Sequence, residues 1–149
     1  MKSLLIGEQI ALTLWVGGMW IVGYVVAPVL FRTLDDRMLA GNLAGQMFTI
    51  MSYIGLVCAV LLLSGQWSAL GVEVLRAWRF WLLVAMLAVV LVGQFVLQPM
   101  MAELKAAGLD GEHATSFGRL HGVASILFLF NSLAGLTLVV AGLRAAELP

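Results

Sequence analysis

Charged side chains fall along this chain in clumps, and long stretches without any run between them. Twenty-three uncharged residues separate Glu8 from Arg32, 35 separate Arg37 from Glu73, 23 separate Arg79 from Glu103, and 24 separate Arg119 from Arg144. About 20 apolar residues cross the hydrocarbon of a bilayer as a helix. Each run therefore predicts one span, and none is long enough for two. The spans are expected near residues 6–30, 43–65, 79–100 and 120–142. No water is present at that depth to satisfy backbone groups, so each crossing must be helical. The runs do not alternate with period two, which excludes a transmembrane barrel. The predicted fold is all-α: an integral membrane four-helix bundle, up-down-up-down, forming a single domain over residues 1–149. Lys2 before an apolar run, with VVA at 25–27, imitates a signal peptide. The run is about twice the length of a signal h-region, so it is read as the first span.

Local signals refine the ends. Pro28 lies near the close of the first span, where a small kink is tolerable. Asp35 or Asp36 suits the cap of the second helix, which then begins well before its apolar run. SGQW at 64–67 is expected to end it, with Trp67 at an interface and Trp78 and Trp81 marking the start of the third helix. Pro99 is expected to kink that helix and Gly108 to cap it. The second and third helices should overhang the membrane on the same side. Asp110, Thr115 or Ser116 can cap the fourth. Gly41 with Gly45, and Gly118 with Gly122, form G-x-x-x-G pairs suited mainly to packing within the chain, and otherwise to a homo-oligomer.

Composition adds the setting. The chain is 62% hydrophobic and 11% charged, with a mean hydropathy of +1.06. Soluble domains carry roughly a quarter charged residues, so the lipid bilayer is the primary partner. Net charge is zero, which gives no reason to expect nucleic acid. The single cysteine, Cys58, cannot form an internal disulfide. Basic residues divide evenly between the two sides. Lys2, Arg76, Arg79 and Arg144 lie with the termini; Arg32, Arg37, Lys105 and Arg119 lie opposite. The amino terminus tips the balance toward termini in the cytoplasm of a bacterial inner membrane.

Four antiparallel spans bring polar residues to one pole: Arg32, Gln46, Gln94, Gln98, Glu103, Arg119 and His121. Gln94 and Gln98 share a helical face. Gly118, Gly122 and Ser125 flank His121, so His121 is expected to face inward, with Arg119 near Glu103 at the rim. Met47, Met51 and Cys58 fall on one face of the second helix, and with His121 they are candidate ligands for a soft ion such as Cu(I). Methionine also fills irregular cores, and no H-x-x-x-H or C-x-x-C spacing supports the metal. Glu8 is expected to pair with Arg76 or Arg79 at the other end. No nucleophile–base pair, phosphate loop or dinucleotide fingerprint occurs, so no enzyme is expected.

Three stretches carry a family resemblance: LWVGGMWIVGYVVAPVLFRTL at 14–34, FWLLVAMLAVVLVGQFVLQPMMAEL at 80–104 and FGRLHGVASILFLFNSLAGL at 117–136. Together they resemble the transmembrane-protein-205-like family, whose bacterial branch is the domain of unknown function 4149. A looser similarity runs to copper-resistance D-type and haem-handling membrane proteins. Those rely on intramembrane histidines, and here only His121 is so placed. The expected roles are binding or moving a small solute or soft metal at the polar pole, a structural membrane protein forming homo-oligomers, or a haem-linked redox protein.

Overall fold

A computed structural model describes residues 2–147, with side chains from residue 6 to residue 143. Four long helices account for nearly all of it. Helix α1 covers residues 2–33, as Lys2–Trp20 and Ala27–Thr33 joined by a π-helical turn at Ile21–Val26. Helix α2 is Arg37–Leu70, continued by a 3-10 turn at Gly71–Arg76. Helix α3 covers Trp78–Ala107, with a second π turn at Gly93–Leu97. Helix α4 is Gly111–Glu147. All four are long and apolar enough to cross a membrane.

The ends derive from capping chemistry. Asp36 Oδ1 accepts the backbone N–H groups of Met38 and Leu39 at 2.8 and 3.1 Å, which fixes the start of α2. Gly71 and Gly108 take φ of 55° and 98°, a region open to glycine, and close α2 and α3. The SGQW stretch does not end α2. Ser64 and Ser68 donate back to the carbonyls of Leu61 and Ser64, so their hydroxyls are absorbed by the helix they were expected to stop. Helix α4 starts earlier than its apolar run. The Asp110 carbonyl accepts from the N–H groups of His113 and Ala114, while Thr115 and Ser116 already lie inside the helix.

At 1.5 Å per residue, α2, α3 and α4 are roughly 51, 45 and 55 Å long, against ~30 Å of hydrocarbon. Helix α2 begins nine residues before Gln46, and α3 ends seven beyond Met100. In an antiparallel bundle these extensions project on the same side, together with the head of α4.

Each helix packs on its sequence neighbours, and α4 closes the ring against α1. The core lies toward the end that holds the termini. Leu12, Trp15, Cys58, Ala59, Leu62, Leu83, Met86, Ala134 and Leu138 are all buried there. Lipid offers no hydrophobic drive between helices, so close approach and van der Waals contact must hold them. Glycines supply the approach. A Cβ on Gly55 would stand 2.5 Å from Trp15 Nε1, one on Gly18 2.6 Å from Met51, and one on Gly135 2.6 Å from Val16. The expected G-x-x-x-G pairs do not serve this purpose. A Cβ on Gly45, Gly118 or Gly122 would meet nothing within 4 Å, and one on Gly41 would make ordinary contact with Phe31.

Beyond the two π turns the bundle divides. The tail of α1 packs on the head of α2, and the tail of α3 packs on the head of α4. The crossed pairs, α1 tail with α4 and α2 head with α3 tail, make no comparable approach. Close backbone contact thus surrounds the core at one end and runs mainly within two hairpins at the other.

The Gly55 notch sets a test of the sealed end. Gly55→Ala forces Trp15, a fully buried ring, to move, and is expected to destabilise by about 1–3 kcal/mol. Gly65→Ala, with open space around it, should be neutral or stabilising by less than about 1 kcal/mol. Reversible unfolding in mixed micelles measures both, and equal effects would refute the notch.

Candidate functional site

The seven polar residues expected at one pole do not form one cluster. Arg32, Gln46, Glu103, Arg119 and His121 are exposed; Gln94 and Gln98 are half-buried. Glu103 and Arg119 do share a feature. They line an open groove of about 470 Å³ between the tail of α3 and the head of α4, with Met100, Leu104, Ala107, Ser116 and Leu120. His121 is not the inward residue. Its ring stacks on Phe117 at 6.2 Å with an interplanar angle of 10°, and Ser125 spends its hydroxyl on the His121 carbonyl at 2.8 Å. The inward stripe of α4 runs instead through Leu120, Ala124, Leu127, Phe128 and Asn131. At 100° per residue, His121 falls on its flank.

Two residues outside the expected set bridge the parted hairpins. Lys105 Nζ donates to Asn42 Oδ1 at 3.2 Å and sits 5.6 Å above the Phe117 ring. Lys105 therefore ties the tail of α3 to the head of α2 while resting on α4. A lysine stem lying along apolar surface with its head at a polar rim is ordinary interfacial behaviour.

The soft-metal ligands scatter. Met47 is 39% exposed. Met51 lies against Gly18, and Cys58 is buried among the core side chains. His121 lies exposed on the head of α4, a different helix. Among the described residues no group of three His, Cys, Asp or Glu side chains is placed to hold an ion. Met51 and Cys58 are thus engaged in packing, and nothing in the structure supports the soft-metal reading.

At the sealed end, Glu8 finds the arginine that the charge pattern offered it. Arg79 Nη2 donates to Glu8 Oε1 at 3.0 Å, and Gln66 Nε2 donates to the same oxygen at 3.4 Å. Three helices meet on one carboxylate oxygen. Both charged side chains are about four-fifths buried, at 20% and 23% exposed. Arg79 Nε and Gln66 Oε1 are buried without partners. Gln9 Oε1 and Arg79 press close to Gly142, where a Cβ would stand 2.5 Å from the glutamine oxygen, so α4 closes over the cluster. Arg76, the alternative partner, pairs with Glu73 on the exposed surface.

Between the ends lies a polar layer that the charge pattern could not reveal. Asn131 and Ser132 are 3% and 2% exposed. Asn131 Nδ2 donates to the Met86 carbonyl at 3.4 Å, and its Oδ1 is unpartnered. Tyr24 donates to Ser132 Oγ at 3.2 Å, and its ring meets Phe128 edge-on at 5.3 Å. Phe48 meets Phe128 from α2 at 5.6 Å. Phe128 fills the space that a side chain at Gly23 would need. This aromatic layer joins α1, α2 and α4. On the π turn of α3, Gln94 Oε1 is buried and unpartnered.

Residues 10–110 match a domain of unknown function, DUF4149. The chain belongs to that family. The matched segment runs from α1 through the end of α3 and contains both π turns. Helix α4, with Asn131 and Ser132, lies outside it. No curated protein matches the chain, and no solved structure does.

The DUF4149 chain offers two direct tests here. A Glu8→Gln, Arg79→Gln double-mutant cycle should show coupling of about 1–3 kcal/mol, since losing one partner strands the other in a mostly buried setting. Additive effects would show the pair to be incidental. For the metal, wild type and the Met47→Leu, Met51→Leu double variant are expected to take up Cu(I) equally against a competing chelator. Loss of a stoichiometric ion from the double variant would restore the ligand row.

Proposed function

We propose that this protein binds a small solute in the gap between its two hairpins at the polar pole, without converting it chemically. One observation supports the reading: on the π turn of α3, where close backbone contact runs within the hairpins, a buried acceptor, Gln94 Oε1, has no donor. A buried acceptor left unpaired costs about 1–3 kcal/mol. That cost is recovered when a bound group supplies the hydrogen. The sealed end, with its ion pair and packed core, would hold the bundle together while the other end stays accessible. In this reading the protein lies in a bacterial inner membrane with its termini in the cytoplasm, and the gap faces the opposite side.

Assembly into homo-oligomers is the second reading. Gly118 and Gly122 favour it, since they form a small-residue surface on α4 that none of the described residues covers. Disulfide trapping of Gly118→Cys in the membrane tests this alternative.

The gap itself is tested by accessibility. Cys58 is the only cysteine, so Cys58→Ala gives a thiol-free background. In lipid nanodiscs, Gln94→Cys and Gln98→Cys should react with a charged, membrane-impermeant maleimide. Met86→Cys, on the same helix but within the core, should stay unreactive until the protein is unfolded. Protection of both glutamine positions to the level of Met86→Cys would sink the solute-binding reading.

A further inference from the structure

The groove within the α3–α4 hairpin is built from two helical faces. Met100, Glu103, Leu104 and Ala107 repeat at helical spacing on α3, and Arg119 and Leu120 stand opposite on α4. Ala107 and Ser116 put small side chains on both walls near the connection. The space amounts to about 470 Å³, a volume in the range of small-ligand sites. Residues 108–110 join the two walls at one end. In the other direction Met100 and Leu120 lead into the apolar spans.

Its two charges have a defined depth. Glu103 closes the uncharged run 80–102, and Arg119 immediately precedes the uncharged run 120–143. Both therefore stand at the same boundary of the hydrocarbon, at the level of lipid headgroups. They are opposite in sign and line one groove, yet among the described residues neither forms an ion pair. Lys105, the other cation on this part of α3, is directed to Asn42 and the Phe117 ring. Between the charges the lining is apolar, through Met100, Leu104 and Leu120. A complementary occupant carries an anion and a cation close together, at the end of an apolar chain.

We propose that this groove holds a zwitterionic glycerophospholipid with a primary-ammonium head, phosphatidylethanolamine, drawn from the surrounding bilayer. Arg119 takes the phosphate, to which a guanidinium can donate two parallel hydrogen bonds. Glu103 accepts from the ammonium, and an acyl chain lies along Met100, Leu104 and Leu120. A phosphatidylglycerol head would answer Arg119 but bring no cation to Glu103. The quaternary head of phosphatidylcholine brings a cation without N–H groups and so forgoes the charge-assisted hydrogen bond. The bilayer presents its lipids to this groove continuously, which favours a lipid over a second copy of the chain docking on the same two charges. The site is separate from the solute-binding reading above: Gln94 lies nine residues before Glu103, roughly 13 Å along α3.

Native mass spectrometry of the intact protein in mild detergent counts bound lipids and protomers together. Phosphatidylethanolamine is expected to bind about tenfold more tightly than phosphatidylglycerol or phosphatidylcholine with the same acyl chains, the worth of one charge-assisted hydrogen bond at a solvated rim. Glu103→Gln should erase the preference over phosphatidylglycerol. Arg119→Gln should weaken both of these lipids. Ala107→Leu, which fills the groove and leaves both charges in place, should weaken all three. Arg37→Gln, at the exposed head of α2 on the same side, should leave binding unchanged. Cys58 is buried and is the only thiol, so its protection from maleimide shows that each variant is folded. Equal binding of the three lipids, a preference that survives Glu103→Gln, or an equal loss in Arg37→Gln would overturn the proposal. Dimers that dissociate in Glu103→Gln at an unchanged lipid count would assign the two charges to self-association and overturn it as well. None of these results alters the labelling of Gln94→Cys, by which the solute-binding reading stands or falls.

Discussion

In hydrocarbon a backbone carbonyl without a donor has no water to turn to, and this chain places a proline within two of its crossings. The structure around Pro28 and Pro99 is a response to that conflict. A proline removes one N–H and crowds the turn before it. Widening that turn to a π register lets the helix pass through without a sharp break. The two adjustments fall in helices that run in the same direction, at similar depth. Beyond both adjustments, close backbone contact runs mainly within each hairpin.

The two ends of the bundle are held in different ways. At the sealed end, large side chains interlock with glycine notches, and a carboxylate is shared between helices α1, α2 and α3. These contacts are numerous and buried, and together they fix the relative placement of all four helices. At the parted end the described polar bridge is Lys105 to Asn42, an exposed bond between a flexible cation and a neutral amide. Exposed pairs of charged groups contribute about 0–1 kcal/mol, and a bond to a neutral acceptor there is of that order. The asymmetry assigns rigidity to one end and freedom to the other without any change of secondary structure.

How much of this is legible in the sequence depends on the kind of signal. The spacing of charges locates four spans, because excluding charge from lipid is a strong and local constraint. It also pairs Glu8 with one of two nearby arginines, since few partners are within reach. Helix ends are less legible: Ser64 and Ser68 look like terminators until their hydroxyls are seen bonded to the preceding turn. His121 is misplaced for a related reason. Its flanking glycines suggest the approach of a neighbouring helix, yet no helix approaches Gly118 or Gly122. Asn131 carries no formal charge and leaves no mark on the charge pattern, although an asparagine amid LFLFNSLAGL is a desolvation signal in its own right. The division of the bundle is beyond reach. It depends on which helix pairs stay together after the π turns, and no single position encodes that.

The length of the parted segments has a mechanical consequence. From Gly23 to the end of α1 is about ten residues, an arm of roughly 15 Å, and α3 extends about 20 Å beyond Gly93. Each arm is a stiff rod rooted in a widened turn. A rotation of about 10° at such a root carries the tip of the shorter arm through nearly 3 Å and the longer through more than 3 Å, by the geometry of rods of that length. Displacements of this size are enough to break a hydrogen bond. Events too small to disturb the packed core can therefore be amplified into the making or breaking of contacts at the membrane surface, with the bundle serving as fulcrum.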